Sequence, residues 1–414
     1  MGREVKGCNE NNYASYLRLF LAVFWGLALF FALVLLPWSA WWIAKSGDNA
    51  IERVVEAQAA GHFVIFGSGI SQDFVDYKLR LYAAVKPVIA AVGSSRVMQF
   101  RGDWFRKPFV NLGGAAGNLS VLNSTVNAMI RDHRPKVVLL GLDFWWFLPQ
   151  WEKNPEAANP PASGSYNYGL ENLKKPWQWL WEGKIGAGDF FRPLLGAFGH
   201  GFRTDRFGIM AQQYNDGFGP DGSWNYTGEI TGQKPPFDFR FRDTILQVAR
   251  GIKAFYHAGA GEDGPARTHL EVLVDMILRL KTRGVKVFTF IPPLAPEVFA
   301  AMKEREKLYP HLFRLKDELE KYGIEVMDFS NPRDLGSSHC EFIDGFHGGE
   351  ITYARVLRRM AARWPTLMPY VKMNMLDKII YGWSEHASVH DPRITDLPET
   401  DFMRFGCPKK KMDN

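Results

Sequence analysis

Residues 19–38 read LFLAVFWGLALFFALVLLPW, a run without a single charge. At about 1.5 Å per helical residue, such a run crosses a hydrocarbon core of about 30 Å, and backbone in lipid must satisfy its own hydrogen bonds as a helix. Whatever else the chain folds into is delivered through a membrane. A cleaved signal peptide has a shorter apolar centre and a small-residue cleavage site, whereas Trp38, Trp41 and Trp42 here supply the aromatic belt of an interface. The run is read as an uncleaved signal anchor. Arg3, Lys6 and Arg18 precede it and Lys45 follows closely, a bias that places the N-terminus in the cytoplasm and the remaining chain on the periplasmic or equivalent external face.

The external part is long and apolar enough for a sizeable core. The whole chain has 414 residues, 46% hydrophobic and 14% aromatic including 14 Trp, which suits one large domain with an insertion or two smaller domains. Of three cysteines, Cys8 lies on the cytoplasmic side, so only Cys340 and Cys407 are placed to pair; two unpaired thiols are the alternative. A net charge of +6 suits a domain near anionic lipid or polymer, but Lys and Arg are scattered and no nucleic-acid motif accompanies them, so nucleic acid is not an expected partner. The ten His are dispersed and no His or Cys pair has zinc spacing. Neither a metal nor a cofactor is expected.

Apolar strand-like runs alternate with amphipathic helix-like segments. After a membrane-proximal stretch, 39–86, with strand-like Phe63-Val64-Ile65-Phe66, the run 87–92 ends at Gly93 as a buried parallel strand would. Residues 109–112 form a second short strand, 119–133 a helix, and 136–141 a third strand. The rhythm then lapses over 149–264, which is rich in Gly, Pro, Asn and aromatic residues and reads as a lid or inserted subdomain. It resumes with a helix opening at Thr268 as cap and closing at Gly284, a strand over 285–291, a helix over 297–322 interrupted at Pro310, a last strand over 324–329 and a last helix over 351–364. Such alternation argues for a parallel sheet covered on both faces. The core thus comprises 87–148 and 265–366. The tail 367–414 carries Met373, Met375, Leu376, Ile379 and Ile380 at helical spacing, read as a helix that packs on the domain, with a helix at the membrane interface as the alternative.

Two motifs follow strands of that sheet. Gly93-Ser94-Ser95-Arg96 ends the first, and Asp344-Gly345-Phe346-His347 joins the last strand to the last helix. A serine hydroxyl needs a base to become a nucleophile, and an imidazole serves best when a carboxylate fixes its tautomer. The motifs supply all three groups, and in open α/β sheets ligands bind at the carboxyl ends of strands, where both motifs lie.

With the glycine block Asn111-Leu112-Gly113-Gly114-Ala115-Ala116-Gly117 and the strand-ending Gly141-Leu142-Asp143, the blocks stand in the order of the SGNH/GDSL hydrolases, which this chain resembles over about 250 residues outside the anchor and insertion. The resemblance implies a three-layer flavodoxin-like α/β fold, with Ser95 as nucleophile, His347 as base and Asp344 as its orienter. It places Gly117, or alternatively Gly114, beside the backbone N–H of Ser95 as oxyanion donors, with Asn111 in the same block. One departure is plain: Asp143 stands where those hydrolases have an asparagine that donates to the oxyanion. An ionised carboxylate cannot donate, so either Asp143 is held protonated, or the oxyanion hole relies on backbone N–H groups, or Asp143 contacts a sugar hydroxyl or pairs with Arg96.

The departure and the anchor make the layout resemble the D-alanyl transfer protein of teichoic acid modification and the alginate acetylation proteins. That likeness implies O-acyl transfer to, or ester cleavage from, a bacterial envelope polysaccharide, beside a membrane-bound O-acyltransferase. A non-catalytic accessory that holds polymer or acyltransferase is the competing class. In the aromatic stretch, Arg203 and the run Asp221-Gly222-Ser223-Trp224-Asn225-Tyr226 are the candidate substrate contacts; covering the sheet edge or meeting lipid headgroups is the alternative.

Overall fold

The uncharged run lies inside a long helix: Glu10–Phe30, a widened π turn at Phe31–Leu35, then Leu36–Ser46, closed by Gly47 in the left-handed conformation at φ 78°. Pro37 accounts for the widened turn, because its missing N–H interrupts the helical ladder at that point. This helix is long and apolar enough to cross a membrane, and its most apolar stretch buries nothing against protein. The computed structural model describes residues 10–70, 74–148, 151, 170–196, 201–234, 245 and 264–409, and they fall into two compact units.

The smaller unit joins Met1–Asn49 with Ser165–Arg203. Two short helices, Lys175–Trp181 and Ala187–Leu195, pack on Leu36–Ser46. Trp42 is fully buried between Trp179 at 5.9 Å and Phe202 at 5.6 Å, ring centre to ring centre.

The larger unit, Ala50–Gly164 with Thr204–Asn414, is a mixed α/β body around a parallel sheet of five strands. These are β1 (Ile89–Gly93), β2 (Phe109–Gly113), β3 (Val137–Gly141), β4 (Lys286–Ile291) and β5 (Val326–Asp328). Their spatial order is β2-β1-β3-β4-β5, with Ile89 level with both Phe109 and Val137. This doubly wound order reverses direction between β1 and β3, so the crevice beyond their carboxyl ends is a switch point where helices leave to opposite sides.

Alternation along the strands divides the core. Ile89, Ala91, Val137, Leu139, Phe288 and Phe290 face the helix Glu350–Arg363 and the C-terminal helix Met373–Gly382, whose Leu376 and Ile379 are buried in the same cluster. The helices Val75–Val85, Leu119–Asp132 and Arg267–Thr282 pack with one another and with β2 and β4, away from that cluster. The tail is therefore part of the core.

Two details differ from the sequence reading, and the placing of residues 63–66 completes it. The helix at Arg267–Thr282 begins after Ala266, whose side chain makes no cap, so Thr268 lies inside its first turn. Residues 63–66 do not join the main sheet: Ile65–Phe66 sits in a separate four-stranded sheet between Arg206–Phe207, parallel to it, and Gly217–Phe218, antiparallel, with Trp224–Asn225 at the edge. The stretch 149–264 does not act as one piece, because Ser165–Arg203 belongs with the N-terminal helix while Thr204 begins the return to the α/β body. Cys340 and Cys407 form a disulfide with Cα atoms 5.6 Å apart, which ties the tail to the loop before Asp344.

Candidate active site

The turn after β1 is built so that one side chain escapes burial. Ser94 Oγ accepts a hydrogen bond from Arg96 N at 3.2 Å and starts a single helical turn, Ser95–Val97. Within 91–100 every residue is buried except Ser95. The turn rests on the end of β2, where a Cβ on Gly113 would lie 2.8 Å from Met98 N, too close for any other residue. Asn111 completes the seat: its Nδ2 donates to the carbonyls of Val97 and Phe100, each at 3.0 Å, and its Oδ1 accepts from Gly113 N at 2.7 Å. With no exposed surface, Asn111 supports the serine turn and is not placed to touch a ligand.

The second motif arrives as a tight loop before the helix Glu350–Arg363. Ile343 N donates to His347 O at 2.8 Å, and Ala295 N donates to Gly345 O at 3.0 Å. Gly349 passes so close to the tail that a Cβ there would stand 2.2 Å from Ala387 O. Glu350, the first residue of the helix, accepts from Val389 N at 3.2 Å and lies 3.5 Å from Arg101; burial raises its carboxyl above the usual range against that charge.

Ser95, His347 and Asp344 are brought together across this edge. Ser95 Oγ lies 2.8 Å from His347 Nε2, and His347 Nδ1 lies 2.7 Å from Asp344 Oδ2. The other oxygen, Asp344 Oδ1, accepts from the backbone N–H groups of Phe346 at 2.7 Å and His347 at 2.8 Å. A carboxylate so held accepts a proton bond from Nδ1, which leaves Nε2 as the acceptor for the serine hydroxyl. The Asp344 side chain is 2% exposed and that of His347 21%, so the base faces outward while its orienter is sealed.

Arg96 and Asp143 sit beneath the serine as a buried ion pair, 2.9 Å apart and each 1% exposed. The guanidinium also donates to Pro292 O at 2.7 Å, Pro293 O at 2.8 Å and Phe346 O at 3.3 Å, and stacks over the Trp145 ring at 5.4 Å. One side chain thus ties together the serine turn, the ends of β3 and β4 and the histidine loop. Burial raises the Asp143 carboxyl above its ordinary value, opposed chiefly by the Arg96 charge. Of the alternatives for Asp143, the pairing with Arg96 is the one present.

The two glycine candidates differ. Gly114, at φ 87°, spends its N–H on Gly93 O at 3.0 Å. The N–H groups of Ser95 and Gly117 have no partner among the described residues. Gly117 is linked towards the site through Trp151, whose Nε1 donates to Gly117 O at 2.9 Å and whose ring lies 6.0 Å from Trp145.

Two aromatic neighbours complete the picture. The Tyr226 ring centre is 6.4 Å from that of His347, and burial, then Asp344 and Glu229, push its hydroxyl well above the usual value, keeping it neutral. The run 221–226 is stitched to the loop after Ser95: Trp224 N donates to Met98 O at 3.2 Å, Gln99 Nε2 to Trp224 O at 3.0 Å, and Arg101 to Ser223 Oγ at 2.7 Å. Of that run, Tyr226 is the member beside the histidine. Trp145 was legible only as part of the aromatic block Phe144-Trp145-Trp146-Phe147 directly after Asp143. Arg203 falls in the smaller unit. Comparison with known protein families, with curated proteins and with solved structures finds no match to this chain.

Proposed function

We propose that this protein is a membrane-anchored serine O-acyltransferase or esterase of SGNH type, working outside the bacterial inner membrane on hydroxyl-bearing envelope polysaccharide. One observation carries the reading: the unbroken hydrogen-bonded line from Ser95 through His347 to Asp344, assembled from residues 252 positions apart. Spacing of this kind is costly to arrange for stability alone, since a small serine and a polar imidazole that keep partial access to solvent add little apolar burial.

The chemistry follows from the atoms. His347 Nε2 takes the Ser95 proton as Oγ attacks an ester carbonyl, and the N–H groups of Ser95 and Gly117 are the free donors for the oxyanion; such a donor is worth roughly 3 to 4 kcal/mol. The proton passes from Nε2 to the departing oxygen, leaving an acyl ester on Ser95. A second hydroxyl, from polymer or water, then loses its proton to Nε2 and takes the acyl group, and Nε2 passes that proton to Ser95 Oγ as the bond between it and the acyl carbon breaks. The Nδ1 side stays with Asp344 throughout.

Asp143 supports a narrower oxyanion hole than that of the secreted esterases, with backbone donors in place of an asparagine. It also supports the alternative of a non-catalytic accessory, because one donor is gone. A fluorophosphonate probe separates the two. Labelling of the wild-type protein that vanishes in Ser95→Ala supports catalysis; an unlabelled wild-type protein that still binds polymer supports the accessory reading.

A further inference from the structure

Ser95, Asp344 and His347 all belong to the larger unit, whereas the helices Lys175–Trp181 and Ala187–Leu195 belong to the smaller. They are locked to the end of the N-terminal helix: Trp38 packs on Phe190 at 5.5 Å and Phe191 at 5.8 Å, Trp177 Nε1 donates to Ser39 Oγ at 2.7 Å, and Trp42 Nε1 to Asp189 O at 3.3 Å. Those partners are residues 38–42, immediately beyond a run that fills about 30 Å of hydrocarbon. If that run spans a bilayer, these contacts fix the helices at the depth of the headgroups.

What they turn outward suits that depth. Trp181 is 93% exposed, Leu194 51% and Phe191 48%. Exposed apolar area costs roughly 25 cal/mol per Å² in water, and Trp and Phe on short amphipathic helices are the side chains that recover it at a membrane interface. Of the neighbouring charges, Lys174 pairs with Glu171, Lys184 with Glu182 at 2.7 Å and Arg192 with Asp189 at 2.5 Å, whereas Lys45 and Lys175 form no ion pair among the described residues. An apolar groove of about 170 Å³ runs between Phe31, Leu35 and Leu36 of the long helix and Leu173 and Trp177.

We propose that the helices Lys175–Trp181 and Ala187–Leu195 form a membrane-interface collar: they lie among the lipid headgroups around the C-terminal end of the span, and the groove receives an acyl chain of a bound phospholipid. The proposal rests on the reading of the N-terminal helix as a span. It removes this part of the aromatic stretch from the substrate lid. With three of these charge pairs closed internally, apolar area drives the contact, and salt, acting through Lys45 and Lys175, changes it only slightly.

Nitroxide labels test it in the full chain, with Cys8→Ser and the disulfide intact, reconstituted in phosphatidylethanolamine and phosphatidylglycerol vesicles. Labels go in turn on Trp181→Cys and Leu194→Cys, with Tyr381→Cys, whose parent side chain is 92% exposed, as the aqueous reference and Phe24→Cys as the reference within the span. The expected result at 181 and 194 is a several-fold lower collision rate with a water-soluble nickel chelate than at 381, a higher rate with oxygen, and little change in high salt. Nickel accessibility equal to that at 381 overturns the collar. Shielding from both reagents means burial in protein, such as a second copy, and overturns it too. A label at 24 that nickel reaches removes the span itself, a failure distinct from the first two.

Discussion

Ser95 and Arg96 are adjacent in one helical turn and are treated in opposite ways by the fold. Ser95 keeps access to solvent and a single partner, His347. Arg96 is sealed at 1% exposure with an ion-pair partner and three carbonyls. A turn of three residues points successive side chains in different directions, so the reactive group and the brace that aims it come from one short motif. In low dielectric a paired charge is rigid but costly to unpair, whereas the partly buried, uncharged dyad loses little stability when cut. Chemistry and stability should therefore separate between neighbours.

The sharpest way to break that comparison is Ser95→Ala. It should remove fluorophosphonate labelling and lower turnover of a small ester such as p-nitrophenyl acetate by roughly 10⁶-fold, while the melting temperature stays within about 1 °C. Asp344→Asn comes next. With the carboxylate gone the ring is no longer held as the Nδ1–H tautomer, and turnover should fall by roughly 10⁴-fold. Retained activity in either variant would separate the reaction from this serine.

Arg96→Met should do the reverse and act through stability. It leaves Asp143 buried without its counter-charge, at a cost of about 3–5 kcal/mol near neutral pH. The sign with pH follows from burial. The folded carboxyl is raised above its unfolded value, so its contribution is fully present below the unfolded value of about 3.9 and is lost as pH rises through the folded one. Removing Arg96 raises the folded value further. Denaturant melts should therefore show the penalty smallest near pH 4 and largest at neutral pH, with much of it recovered in the double variant Arg96→Met, Asp143→Leu. A penalty independent of pH would mean that lost packing against Trp145, and not the unpaired carboxylate, is responsible.

The sheet was legible in the sequence because buried parallel strands are nearly continuous apolar runs ending in glycine, as at Gly93 and Gly141, and the helices carry clean periodicity. The catalytic candidates were legible because they follow those strands. Two-residue strands such as Ile65–Phe66 have no period to read, and their pairing with Arg206–Phe207 depends on chain far away. Composition made 149–264 look uniform, since aromatic residues that pack on an apolar helix and those that pack beside a histidine are the same residue types. Asn111 lies in the matching block, yet only coordinates reveal that its amide is occupied by backbone. Thr268 misled as a cap because a threonine near a helix start is common whether or not its hydroxyl is used.

The smallest expected effect decides which glycine serves the oxyanion. Gly114 has φ 87°, a conformation that costs an L-residue roughly 1 kcal/mol, and a Cβ there would press on the terminal methyl of Met98, the mobile end of a flexible side chain. Gly114→Ala keeps the N–H that already serves Gly93 O. It should lower stability by about 1–2 kcal/mol and leave kcat per folded molecule within about threefold of wild type. Thermal melts paired with active-site titration by fluorophosphonate measure both quantities on one sample. A loss of kcat beyond tenfold with full labelling would mean that Gly114 or the turn it closes takes part in oxyanion binding, and would move that role away from Gly117.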